Sequence, residues 1–84
     1  MEIQDVTRLI LNAIPDAEIY VQGEGCNFTA DVISASFDGV NKLNRQKKVL
    51  SSVKDQIVTG DIHALSVKTY TPEEWLTQNE LKVL

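Results

Sequence analysis

"GDIHALSVKTYTPEEW", residues Gly60–Trp75, is the stretch that decides how this chain folds. After the break at its start, Ile62–Tyr70 is short and rich in β-branched residues, which predicts a strand. Thr71 suits the N-cap of a helix and Pro72 its first turn, while the two glutamates that follow complement the positive end of the helix dipole. The stretch therefore predicts a strand that leads directly into the last helix.

Upstream of this stretch, the sequence predicts a helix and then a hairpin. Apolar residues at helical spacing end at Pro15-Asp16, and this stripe comprises Ile3, Val6, Leu9, Ile10, Ala13 and Ile14. Ala17–Gln22 reads as a strand, Gly23–Gly25 as a turn, and Cys26–Phe37 as a longer strand. Asp38-Gly39 then ends the hairpin.

The segment from Lys42 to about Val58 is predicted to be one helix, with its basic residues on the outer side and with four inward-facing residues, Leu43, Leu50, Val53 and Ile57. The element order is then αββαβα. The tight turn makes the first two strands antiparallel, and the helical crossover makes the second and third parallel. We therefore expect an α+β fold over residues 1–84, a single small domain with a three-stranded mixed sheet covered by helices and with frayed last residues.

Composition sets bounds on function. The chain has 84 residues, of which 43% are hydrophobic and 24% charged, as in an ordinary globular domain. Its single cysteine excludes an internal disulfide and a cysteine-rich zinc site. No run approaches the roughly 20 apolar residues of a membrane span, and "MEIQDVTRLI" does not read as a targeting peptide, so we expect no membrane association and a cytoplasmic location.

The only cysteine and the only histidine are 37 positions apart, yet the topology brings them together. Cys26 begins the second predicted strand and His63 the third, and parallel neighbours start at the same edge of a sheet, about 4.8 Å apart. We therefore expect Cys26 and His63 to meet at one exposed rim.

Three interpretations of this pair remain open. Both residues could serve the fold alone. A Cys–His hydrolase would use the imidazole to activate the thiol, but it also needs an orienting group and an oxyanion hole, which a hairpin on a small open sheet hardly supplies. A metal site would suit thiolate and imidazole, yet two ligands fill only half of a 2Fe-2S cluster. Any such cluster would then be shared with a partner that brings the remaining ligands.

Five of the eight basic residues lie within thirteen positions, on the helix after Gly39: Lys42, Arg45, Lys47, Lys48 and Lys54. Such a run is often only the solvated face of a helix. It also suits contact with phosphate or with an acidic partner, although a net charge of −4 disfavours non-specific nucleic-acid binding. Trp75 follows a capped turn, so we expect it to pack against the sheet instead of stacking on bases.

"FDGVNKLNRQKKVL" and "IHALSVKTYTPEEW" together resemble the BolA family, and within it the short bacterial branch of the IbaG or YrbA type. The resemblance covers the chain from about Ile3 to Trp75. It implies an αββαβα fold of the class II KH-like type. It also implies a heterodimer with a monothiol glutaredoxin that shares a bridging 2Fe-2S cluster, with glutathione supplied through the glutaredoxin.

The resemblance also assigns the cluster ligands. The family's C-terminal histidine ligand falls on His63. Many bacterial members carry a second histidine before the phenylalanine of strand two, but here Asn27 holds that position and Cys26 stands one earlier, as in Cys-type members. Because Cys26 adjoins a glycine-rich turn that can move, we expect His63 to be the indispensable ligand and Cys26 the tuning one.

Some family members are described as transcriptional regulators, so a small DNA-binding regulator is the alternative function. KH-like domains grip nucleic acid with a G-x-x-G loop, and this chain has none. Our leading hypothesis is a non-enzymatic adaptor, in which Lys42, Arg45, Lys47 and Lys48 contact the partner or nucleic acid. We expect the isolated chain to hold no cofactor and to be a monomer or a weak homodimer.

Overall fold

The computed structural model describes the backbone of residues 1–83 and the side chains of residues 1–78. In chain order the elements are α1 (Ile3–Ala13), β1 (Glu18–Glu24), β2 (Asn27–Ile33), a short 3₁₀ helix (Ala35–Phe37), α2 (Lys42–Ser52), α3 (Lys54–Thr59), β3 (Ala64–Tyr70) and α4 (Pro72–Val83). The sheet order is β1-β2-β3, with β1 antiparallel to β2 and β2 parallel to β3. The predicted α+β class and mixed sheet are therefore confirmed. The expected fraying falls on the end of the chain, outside the described side chains and, for residue 84, outside the described backbone.

The two faces of the sheet pack against different helices. Phe28, Ala30 and Val32 alternate along β2 and are 5%, 0% and 0% exposed, and they belong to the core that also contains residues of α1 and α2. On the opposite face, Trp75 of α4 stacks on Tyr20 at 5.6 Å between ring centroids and meets Tyr70 edge-on at 5.1 Å. Trp75 packs against the sheet, as predicted.

The hairpin differs from the predicted one at both strands. β1 extends to Glu24, so Gly23 lies within the strand, where an added Cβ would collide with the carbonyl oxygen of Asn27 and the Cα of Phe28. β2 ends at Ile33 and not at Phe37. The hydroxyl of Ser34 accepts a hydrogen bond from the Ser36 amide at 3.1 Å, which turns the backbone into the 3₁₀ helix.

The predicted helix from Lys42 to Val58 is two helices that meet at Val53. The Ser52 hydroxyl donates to the Val49 carbonyl at 2.5 Å, and the Val53 amide bonds to Leu50 three residues back, at 3.2 Å. A serine hydroxyl that occupies a helical carbonyl in this way competes with the backbone ladder and bends helices. The element order is therefore αββααβα.

The buried face of this helix pair also differs from the prediction. Val49 and Val53 are fully buried, whereas Leu43, Leu50 and Ile57 are 62%, 36% and 42% exposed. Of the four predicted inward residues, only Val53 is therefore correct. The reason is that the buried stripe runs through Arg45, Val49 and Val53, four residues apart, whereas Leu43, Leu50 and Ile57, seven residues apart, lie on a different stripe. Within the described residues, no helix has the length and apolar character that crossing a membrane requires.

Candidate metal-ligating site

Cys26 and His63 lie side by side at one end of the sheet. The His63 amide donates to the Cys26 carbonyl at 2.7 Å, and the Ala64 amide donates to the same carbonyl at 3.2 Å. The neighbouring residues, Asn27 and Ala64, are aligned as the first pair of the parallel ladder. Both candidate ligands are solvent-exposed. The predicted meeting of the only cysteine and the only histidine at an exposed rim is therefore confirmed.

The position of Cys26 is not the one predicted. It does not begin β2 but is the second residue of the two-residue turn Gly25–Cys26, which joins Glu24 to Asn27. Gly25 has a φ of 62°, whereas Cys26 has no positive φ, the combination found in a type II′ hairpin turn. Since two amides hold the Cys26 carbonyl, its backbone is tied to the start of β3. Movement of Cys26 away from the rim would first have to break both of these hydrogen bonds.

His63 likewise stands one residue before β3 and not within it. A left-handed Gly60 ends α3, and the Ile62 amide then bonds to the Gln56 carbonyl at 3.0 Å. Ile62 is 1% exposed and so anchors the connection in the core. A buried residue on one side of His63 and a strand on the other fix the backbone from which the imidazole projects.

The chemistry of the pair suits half of a metal site. Thiolate and imidazole are donors for iron–sulfur clusters, zinc and copper. Among the described residues, no group of three or more His, Cys, Asp or Glu side chains could hold a metal ion. The two donors fit a cluster that sits on the protein surface and takes its other ligands from outside this chain, and they do not fit a complete resident site.

Arg45 is not part of an exposed basic face. It is 6% exposed, its Nε donates to the Val40 carbonyl at 2.7 Å, and its guanidinium donates to Glu74 Oε1 at 2.8 Å. It also lies over the ring of Phe37, 5.8 Å from the centroid. The prediction that Arg45 contacts a partner or nucleic acid conflicts with this placement, because its polar head is engaged inside the fold.

Glu74 completes this internal connection. Its carboxylate also accepts from the Thr71 amide at 2.9 Å, and its own amide donates to the Thr71 hydroxyl at 3.2 Å, which forms the predicted cap of α4. The hydrogen bond from Arg45, with that from the Thr71 amide, holds the pKa of Glu74 below its ordinary value. One structural junction thus joins Arg45 to the "FDG" and "TPEEW" segments of the sequence.

The exposed lysines occupy two separate surfaces. Lys47 and Lys54 border a shallow groove on the outside of α2 and α3, which has an apolar floor of Leu50, Ile57 and Val58. Val58 is 77% exposed, and its helix leads into the connection that carries His63. Sequence reasoning missed this groove, because its apolar residues share the helical spacing of a buried stripe.

Lys42 lies elsewhere, at a polar groove beside β3 that Lys68 also lines. Lys48 is exposed on α2 and lines neither of these two grooves. The basic run in the sequence therefore does not form one patch. It separates into a lysine-bordered apolar groove near the Cys26–His63 end and a second polar groove along the sheet edge.

Comparison with known proteins agrees with this architecture. Residues 2–74 match the family described as BolA-like protein. The chain is 32% identical over 81 residues to the acid stress protein IbaG of Escherichia coli K12, with 96% of each chain covered. A bolA protein homologue from Coxiella burnetii shares its fold with a TM-score of 0.77 and 32% identity, over 89% of this chain and 96% of that one. Yeast Fra2 matches with a TM-score of 0.70 and 38% identity, over 89% and 84% of the two chains. The chain belongs to the BolA family.

Proposed function

We propose that this protein is a non-enzymatic cytoplasmic adaptor that shares a 2Fe-2S cluster with a monothiol glutaredoxin, through Cys26 and His63. One observation carries the proposal: the only thiol and the only imidazole project from backbones joined by a 2.7 Å hydrogen bond at an exposed rim. Two donors supply half of the ligands that such a cluster needs. A glutaredoxin cysteine and its bound glutathione would supply the other half.

When bound, the cluster is the cargo and redox-active group of the complex. The residues of this chain would hold it from one side, with the thiolate adding negative charge and the imidazole remaining neutral. The paired backbones keep the two donors close together before the partner arrives, which lowers the cost of ordering them. The name of the IbaG relative, an acid stress protein, supports a role in the stress response.

The purified chain alone should be colourless, and a coloured heterodimer should form only with glutaredoxin, glutathione, iron and sulfide. The reason is the ligand count of two. Visible absorption, iron and sulfide analysis and native mass measure this together. Stoichiometric iron and sulfide in a lone monomer would contradict the shared site. The mass is needed because a homodimer could bring four ligands by itself.

Lys47 and Lys48 are expected to steer the partner toward this end of the molecule. Both are exposed on an otherwise acidic protein, and Lys47 borders the groove that leads toward His63. Because charges at a rim act mainly on association, replacing both with Glu should lower the association rate about tenfold at low salt and flatten its salt dependence. Stopped-flow mixing with glutaredoxin measures this. The double variant with Lys42→Glu and Lys68→Glu, on the other groove, is the charge-matched control, and an equal effect there would contradict the assignment.

The alternative, a small DNA-binding regulator, is favoured by the exposed lysines of α2 and α3. The net charge of −4 weighs against it, as does the absence of glycine between residues 40 and 59, where α2 and α3 meet without a flexible loop. A salt titration on DNA separates the two functions. Tight, sequence-selective binding with a steep salt slope would favour the regulator over the adaptor.

A further inference from the structure

The outer edge of β3 is an unpaired strand edge that forms the floor of a groove. Among residues 1–83, β3 is the last strand of the sheet and pairs with β2 alone. At its two ends, the Ala64 amide and the Tyr70 carbonyl are bonded to Cys26 and Ser34 on the β2 side. Since successive residues of a strand point their backbone groups to opposite sides, the amides and carbonyls of Leu65, Val67 and Thr69 point outward.

One side chain of α2 reaches this edge, where no strand of the described residues pairs with it. The side-chain amide of Gln46 on α2 donates to the outward carbonyl of Val67 at 3.3 Å, in the place where a further strand would donate. Within residues 1–78, neither the Val67 amide nor the Thr69 amide has a backbone or side-chain acceptor outside the sheet. An edge with free amides is a template for another extended segment.

The groove has the size and shape for such a segment. Its volume is about 340 Å³, within the range of roughly 300–1,000 Å³ that is usual for ligand clefts. Four consecutive residues of β3, Val67–Tyr70, line it, which corresponds to about 13 Å of extended chain. The two helical walls place Lys42 and Gln46 on one side and Gln78 on the other.

The charge of the groove selects the occupant. Lys42 and Lys68 are both exposed and line it. Glu74, whose carboxylate the charge of Lys42 also influences, is already bonded to Arg45 and to the Thr71 amide. A second copy of the chain paired along this edge would bring its own Lys42 and Lys68 against these two, so self-pairing is electrostatically disfavoured.

We infer that the edge of β3 binds an extended, acidic segment of a partner protein by strand addition, with its backbone on Val67 and Thr69 and its carboxylates toward Lys42 and Lys68. Main-chain hydrogen bonds supply affinity in this mode, and the flanking charges supply selectivity. The surface is distinct from the Cys26–His63 rim, so the inference does not depend on cluster binding.

The test uses a nine-residue peptide in which Val and Thr alternate with Glu, titrated into the ¹⁵N-labelled chain. We expect saturable shifts of the Val67 and Thr69 amides, and about fivefold weaker binding for a variant with both Lys42→Glu and Lys68→Glu. Lys54→Glu, on the other groove, is the matched control and should bind as the wild type does. The same peptide methylated on its alternate backbone nitrogens should not bind.

Three results would overturn the inference. The first is the absence of amide shifts at about 1 mM peptide, the weak limit of specific recognition. The second is equal binding of the methylated peptide, which would show that the backbone is not recognised. The third is a free chain that sediments as a dimer and exposes the Val67 amide on dilution, since a second copy would then occupy the edge.

Discussion

Replacing His63 with alanine should abolish the shared cluster. The complex reconstituted with glutaredoxin and glutathione is expected to lose its native visible absorption and circular dichroism, with cluster affinity reduced about 100-fold or more. His63 is the only imidazole of the chain, and no described cluster of His, Cys, Asp or Glu could take its place. Because His63 is exposed, the free energy of unfolding of the free variant should lie within about 0.5 kcal/mol of the wild-type value.

Cys26→Ser is the graded comparison for this experiment. Serine keeps an oxygen donor at the same position, but oxygen is a harder ligand than the thiolate and suits iron–sulfur chemistry less well. We expect a heterodimer that still assembles a cluster but loses it faster. Asn27→Ala, next to Cys26 and exposed, serves as the control that removes no predicted ligand. A native spectrum in His63→Ala, or a free variant that melts tens of degrees lower, would instead give the histidine a purely structural role.

The juxtaposition of Cys26 and His63 could be predicted from the sequence because it depends on topology alone. The turn glycines and the crossover helix define an antiparallel and a parallel pair, and this order is enough to bring Cys26 and His63 to one rim. Local detail was less predictable. Cys26 lies in the turn and not in the strand because β1 continues through Gly23. A glycine is needed there because the opposing backbone of Asn27 and Phe28 leaves no room for a side chain.

The surface of α2 and α3 could not be predicted in the same way. Helical periodicity identifies a stripe but not which stripe faces the core, and α2 buries the stripe of Arg45 and Val49 and not that of Leu43 and Leu50. Leu50 is therefore exposed, while Arg45, a charged residue outside the predicted apolar stripe, is buried. A buried arginine is uncommon unless it is paired, and its partner, Glu74, lies 29 residues away in the sequence. Sequence alone gives no sign of that pairing.

Arg45→Met should destabilise the protein by about 2–3 kcal/mol. Methionine keeps an unbranched apolar side chain but leaves the Val40 carbonyl without its donor and Glu74 without its cation. Breaking a fully buried ion pair costs about 3–5 kcal/mol, and the lower figure reflects a Glu74 side chain that is 45% exposed. The stability of Arg45→Lys should lie between those of the wild type and Arg45→Met, because an ammonium cannot reproduce both contacts of the guanidinium. Urea unfolding at neutral pH measures the free energy of unfolding of the wild type and each variant, with Lys47→Met as the exposed control.

The pH dependence of the stability difference between wild type and Arg45→Met identifies the cause of that difference. The pKa of Glu74 in the folded protein is lowered from its ordinary value of 4.5, chiefly by the hydrogen bond from Arg45. The carboxylate therefore contributes stability that is fully present above this ordinary value and is lost as the pH falls through the folded-state pKa. Arg45→Met lacks most of this contribution, so the gap in unfolding free energy between wild type and variant should narrow from pH 7 to about pH 3. The part that remains in acid reflects the Val40 contact and the packing on Phe37. A gap that stays constant with pH, or an equal loss in Lys47→Met, would show that the ion pair with Glu74 does not stabilise the junction between α2 and α4.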